Sequence, residues 1–283
     1  MPVAPEKRNS LNEIFGSVKP LIGNVHCLPL PGAPKYRNEQ MHELIERAIA
    51  DARNYAMGGM DGLLIENHGD IPFVQPHEIG HETVAALTVI AKAVGEETGL
   101  PFGISLLANC SIGALAVAKA SGARFIRVNQ WVNAYVSNEG LIQGESGKAL
   151  RYRRSIGAEN VAIFADVHVK HGAHAIVADR PVSEQASDVE FYEADVAIAT
   201  GNRTGDAVPD SEIEEIRSGT RLPIIAGSGV TVANASQVLA RTDGAIIGSS
   251  LKRDGMWWNE VELSRVKALV ATVHEVRGRA AKR

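Results

Sequence analysis

Short, nearly continuous apolar runs alternate with stretches of helical spacing along most of the chain. Residues 21–26, 62–65, 102–107, 125–128, 161–165, 196–199, 222–226 and 245–247 have the length and hydrophobicity of parallel strands buried on both faces. Between the first two, residues 39–57 place Met41, Leu44, Ile45, Ala48, Ile49 and Ala52 on one helical face, and Gly58-Gly59 stops the pattern. Further helices are predicted near 82–97, 111–120, 148–156, 183–193, 209–217 and 232–240, with a last amphipathic helix at 259–276. About eight strand–helix units at this spacing predict an α/β fold, a single (β/α)8 TIM barrel. The barrel is expected over residues 21–276, after a polar lead at 1–20 with a short amphipathic piece near residues 11–15 and before a solvated basic tail at 277–283. A long polar loop runs from Asn129 through Gly144, and loops of that length in a compact domain tend to be lids or binding loops.

The last two predicted strands each end in a turn of small residues, Gly227-Ser228-Gly229 and Gly248-Ser249-Ser250. Such turns let several backbone N–H groups point at one anion, and after the seventh and eighth strands of a barrel they form its standard phosphate site. Two ordinary tight turns are the alternative. Their occurrence in consecutive units, followed by Lys252, favours a phosphate-binding role for all seven residues.

In a barrel the polar residues at the carboxyl ends of strands are the ones that face a ligand. Here they are His26, Glu66, Asn67, Asp70, Asn109, Asn129, Asp166, His168, Lys170, Thr200 and Asn202. Asp166, His168 and Lys170 alternate at a period of two, so a persisting strand would put an acid, an imidazole and an ammonium on one face. Glu66 follows the buried run directly, where partial desolvation suits a base or a metal ligand. Candidate catalytic residues are therefore His26, Glu66, Asp166, His168 and Lys170, with Asn67, Asn109, Asn129, Thr200 and Asn202 as substrate contacts. Asp70 reads equally well as a turn residue. A divalent metal held by these acids with His68, His168, His171 or His174 stays open, since no spacing fixes one. His77-Glu78-Ile79-Gly80-His81 matches HExxH, but Gly80 and Pro76 argue against the helix that a zinc site of that kind needs. Gly227-Ser228-Gly229 lacks the later glycine of a dinucleotide fingerprint, so no nucleotide cofactor is expected.

Composition narrows the classes. A net charge of -4 gives no electrostatic footprint for nucleic acid. No apolar run reaches the roughly 18 residues of a membrane span, and the start lacks a signal-peptide core, so a cytoplasmic protein is expected. Cys27 and Cys110 have no motif spacing and read as reduced, buried thiols. Trp257-Trp258, just before the last helix, read as packing at a subunit contact, which makes a homo-oligomer the expected assembly.

The segments VHCLPLPGAP (25–34), GLLIENHGDIPF (62–73), HETVAAL (81–87), FIRVN (125–129), FADVHVKH (164–171), TGNRTG (200–205) and AGSGVTVAN (226–234) together carry a resemblance, over nearly the whole chain, to the BtpA/SgcQ family. It implies a TIM barrel. The family is named for a factor associated with photosystem I accumulation in cyanobacteria and for a member of a bacterial sugar-utilisation gene cluster. His168 stands where family members often carry a basic or small residue, so its role rests on the strand argument alone. Two functions follow as expectations. The first is an enzyme on a phosphorylated sugar or related derivative, an isomerase or a lyase/aldolase, in which Glu66 or Asp166 abstracts a proton and Lys170 or His26 stabilises the oxyanion. The second is a non-catalytic assembly factor that uses the barrel as a scaffold.

Overall fold

The computed structural model describes residues 9–201 and 205–280. Eight parallel strands close into a barrel: β1 Leu21–His26, β2 Gly62–Glu66, β3 Phe102–Ser105, β4 Phe125–Val128, β7 Ala162–Asp166, β8 Val196–Ala199, β9 Ile224–Ala226 and β10 Gly244–Ile247. Each pairs in register with its sequence neighbour in the barrel, and β10 closes on β1 through Leu21↔Ala245, Ile22↔Ile246 and Gly23↔Ile247. The remaining two strands, β5 Ala134–Ser137 and β6 Gly140–Gln143, form a separate antiparallel hairpin. Helices α2 Met41–Gly58, α3 His81–Thr98, α4 Ser111–Ser121, α5 Ser146–Ser155, α6 Val182–Phe191, α7 Asp210–Gly219, α8 Ala235–Arg241 and α9 Leu263–Ala280 follow the barrel strands in turn.

Side-chain alternation divides the strands between two cores. Leu21, Val25, Leu63, Ile65, Ile104, Ile126, Ile163 and Ala197 face outward onto the helices. Ile22, Leu64, Phe125, Phe164, Val196, Ile198, Ile225 and Ile246 face inward and fill the lower barrel. The inward positions one step further along carry Asn24, His26, Glu66, Arg127 and Asp166, all buried. The interior is therefore apolar below and polar at the carboxyl-terminal mouth.

Two boundaries differ from the sequence expectation. The lead segment is part of the barrel core: α1 Ser10–Phe15 places Leu11 among the inward-facing residues and sets the Phe15 ring edge-on to Phe125 at 5.8 Å. At the other end α9 runs on to Ala280, because Arg277 is no solvated tail residue. Its guanidinium pairs with Asp61 and donates to the Lys19 carbonyl, which ties the last helix to the barrel floor.

The polar stretch after Asn129 is the β5–β6 hairpin rather than an irregular loop. Tyr135 and Ile142 pack with Val169 in a small core, and Val136 bridges Ala173 beyond β7. The hairpin thus leans over the mouth from the β7 side.

Candidate functional site

A cavity of about 480 Å3 opens at the carboxyl-terminal mouth of the barrel. One wall is built by the two glycine corners. Gly227, Ser228, Gly229, Gly248, Ser249 and Ser250 all line it. The Ser250 hydroxyl donates to the Val230 carbonyl at 2.6 Å and so locks the corners together. Gly229 has φ +71°, and a Cβ there would meet the Asp206 carbonyl at 2.0 Å, so only glycine fits. The amides of Gly229, Val230, Gly248, Ser249 and Ser250 donate to no other described residue. The Gly227 amide is spent on the Ala199 carbonyl at 2.8 Å, and this residue contributes only its lack of a side chain.

Beside the second corner stand three groups, from β1, β2 and the turn that follows β2. Glu66 Oε2 accepts from Asn24 Nδ2 at 3.1 Å and lies 3.0 Å from His68 Nδ1 and 3.6 Å from His26 Nε2. The two imidazole rings stack at 4.6 Å, and Trp257 packs on His68 at 4.5 Å. Burial pushes His26 well below the ordinary imidazole value, with His68 and Lys252 acting the same way and Glu66 and the Trp257 carbonyl opposing. For Glu66 burial acts upward, but the His68 hydrogen bond and the charges of His68, His26 and Arg127 outweigh it and hold the carboxyl well below its usual range.

The floor is cationic. Arg127 Nη2 donates to both oxygens of Asp166 at 3.2 Å, in a pair of which each side chain is almost fully buried. Burial raises the Asp166 carboxyl even against Arg127 and Lys170. Lys170, close by on the cavity wall, is pushed down to about 8 by burial and by the Arg127 charge, against the pull of Glu66 and Asp166.

A sequence profile of the BtpA family matches residues 17–275. The chain belongs to the BtpA family. A BtpA-family relative described as Photosystem I biogenesis protein BtpA, from Synechocystis, is 34% identical, covering 94% of this chain and 91% of its own. An uncharacterised protein of Archaeoglobus fulgidus is 40% identical over 89% of this chain and 97% of its own. Among solved structures, Mycobacterium tuberculosis tryptophan synthase superposes with a TM-score of 0.59 at 15% identity, over 93% of this chain and 96% of that one. Thiamine phosphate pyrophosphorylase from Pyrococcus furiosus gives 0.55 at 17%, over 92% and 96%. At such identities the likeness establishes the barrel fold. No helix among the described residues is long and apolar enough to cross a membrane.

Within this BtpA-family barrel the predicted site residues separate. His26, Glu66, Asn129 and Lys170 line the cavity with the glycine corners. Others are structural. Asp166 is buried, does not line the cavity, and has both oxygens held by Arg127, whose guanidinium it positions. His168 lines a side cleft and not the mouth, because β7 ends at Asp166 and the expected alternation stops there; it lies 3.5 Å from Glu212, and its ring is tilted against that of His174 with centroids 3.8 Å apart. Lys252 is fully buried with its ammonium on Asp51 at 2.9 Å, and it does not line the cavity. Asn67 is saturated by Asp70 and by the Leu107 backbone. Asn109 is saturated by the backbones of Gln130 and Gln143. The Thr200 hydroxyl bridges the His168 carbonyl and the Lys170 amide. Asn202 lies outside the described residues.

Among the cavity residues that escaped the sequence reading are Arg127, Asn24 and Trp257. Arg127 shares its strand parity with Phe125, and Asn24 with Ile22, so alternation marks both as inward-facing. Trp257 has no such signal: it reads as a subunit contact, yet it turns inward onto His26 and His68. Trp258 beside it is exposed. The HExxH match is split, with Pro76–Glu78 in a 3₁₀ turn and His81 opening α3 after Gly80.

Proposed function

We propose that the chain is an enzyme acting on a phosphorylated sugar or related derivative by proton transfer, as an isomerase or a lyase. The observation that carries this reading is the linked pair of corners, whose residues line one cavity and five of whose amides donate to no other described residue. A phosphate accepts several such N–H bonds at once, and backbone donors hold it without a dedicated cation. The carbon chain then extends toward Asn129, Arg127 and Lys170. Lys170, with a pKa near 8, exchanges a proton close to working pH, as general acid–base catalysis requires. Arg127, fixed by Asp166, supplies positive charge where an oxygen becomes anionic.

Thermal shift with sugar phosphates, set against the same sugars unphosphorylated, tests the reading. A ligand at a hundredfold its Kd stabilises by about 2.7 kcal/mol. Ser249→Asp places a carboxylate at the corner and is expected to abolish the shift. Undiminished stabilisation of that variant rejects the phosphate site.

A second reading has one specific support, the biogenesis description of the Synechocystis relative. There the barrel acts as an assembly factor and its exterior carries the function. Under that reading, Lys170→Met and Arg127→Met preserve function in the cell; under the enzymatic reading they destroy it.

A further inference from the structure

We infer that His26, Glu66 and His68 form a binding site for one divalent transition-metal ion, with its open coordination positions turned toward the cavity. The argument begins with hydrogens. His26 Nδ1 lies 3.1 Å from the Trp257 carbonyl, which can only accept, so Nδ1 carries a hydrogen and Nε2 is the ring nitrogen left to serve as a ligand once the ring is neutral. Nε2 faces Glu66 Oε2 at 3.6 Å. A cation between a neutral imidazole nitrogen and a buried carboxylate oxygen satisfies both. His68 brings a third donor atom to the same oxygen, and the ligand atoms of the three residues all fall within 4.8 Å of one another. Small side-chain rotations close that span around an ion with bonds of about 2.0–2.2 Å.

The chemistry of the set fits. Two imidazoles and one carboxylate are the donors of open, three-ligand zinc sites and of related Fe(II) centres. The groups behind them are also of the kind that orients metal ligands: the Trp257 carbonyl fixes the His26 tautomer, and the Asn24 amide donates to Glu66. The Asn24 backbone is held in turn by Tyr55, whose hydroxyl donates to the Asn24 main-chain carbonyl at 3.0 Å. Phe73 and Trp257 pack edge-on against the His68 ring. Gly248 stands against His26, where a Cβ would come within 3.1 Å of the ring, so the metal-binding triad adjoins the second glycine corner. An ion there would polarise an oxygen of a molecule whose anionic end rests on the corners. The site shares the cavity of the proposed function but does not depend on the identity of that substrate.

The test uses the full chain, stripped by chelator and titrated with Zn2+ by calorimetry and with Co2+ by visible absorption. One ion per chain is expected, with Co2+ bands that Zn2+ displaces. His68→Ala should weaken Zn2+ binding by roughly 100-fold or more, and Glu66→Gln similarly. His174→Ala, from the side cleft, should leave it unchanged. Failure to bind Zn2+, or binding that survives His68→Ala, overturns the inference. If Glu66→Gln does not fold, His68→Ala still decides the matter, since that ring lies at the cavity edge. Zn2+ binding without stabilisation by any sugar phosphate keeps the metal site and rejects the substrate; stabilisation without Zn2+ binding does the reverse.

Discussion

Lys170 shows how far a single position is governed by its neighbours. Arg127 opposes its charge while Glu66 and Asp166 favour it, and burial outweighs them, lowering the amine from 10.5 to about 8. A lysine lowered on folding binds fewer protons native than unfolded, so stability increases as pH rises through that window. Below pH 8 the cost of burying the ammonium is fully present, and it is relieved as pH climbs toward 10.5. Relative to Lys170→Met, the wild-type chain should therefore gain stability between those limits, by up to roughly 3 kcal/mol, with partial exposure of the side chain reducing the figure. Denaturant unfolding of both proteins at pH 7 and pH 10 measures it, and parallel pH profiles would refute the lowered pKa. The sequence placed Lys170, Glu66 and His26 at strand ends, and those are the residues that reach the cavity. It misplaced His168 because alternation was extended past a strand that stops at Asp166. It passed over Arg127 because an arginine inside an apolar run looks like an interruption, although its parity with Phe125 points it inward.

At the scale of elements, the strands were legible because each is a short apolar run between turn residues, and the inward and outward positions follow from a period of two. The β5–β6 hairpin was not. Its strands are four residues long and bury only Tyr135 and Ile142, too little hydrophobicity to stand out in a polar stretch. The glycine corners were legible as turns, but the fate of Lys252 depends on α2, which no local pattern reveals. There Asp51 accepts from Lys252 at 2.9 Å through one oxygen and from the Val261 amide at 2.8 Å through the other, both in the core. The pair thus ties α2 to the segment that follows the second corner. Removing one partner strands a buried charge, which costs about 3–5 kcal/mol. Asp51→Ala should show that loss in denaturant unfolding. Lys252→Met should leave phosphate-ligand binding unchanged at saturating stability, because the ammonium points away from the cavity; a large loss of affinity would restore Lys252 as a ligand.

For the molecule as a whole, the two ends of the barrel do different work. The carboxyl-terminal mouth gathers buried polar groups and uncommitted amides, an arrangement that gives up stability to present chemistry. The opposite end is sealed by α1, whose Leu11 sits 3% exposed among Ile22, Leu64 and Ile225. α1 is therefore a plug, and the inner core is incomplete without it. Truncating a buried leucine to alanine costs about 2–5 kcal/mol through lost transfer energy and the cavity left behind. In a chain of this size that corresponds to a fall in Tm on the order of 5–10 °C. The apolar layers between α1 and the mouth are close-packed, and the damage is confined to the floor. Leu11→Ala should accordingly lower Tm while Zn2+ affinity and stabilisation by phosphorylated ligands, measured below the transition, stay at wild-type values. If ligand affinity fell together with stability, the floor and the mouth would be mechanically coupled, and the division of labour argued from the two inward-facing layers would not hold.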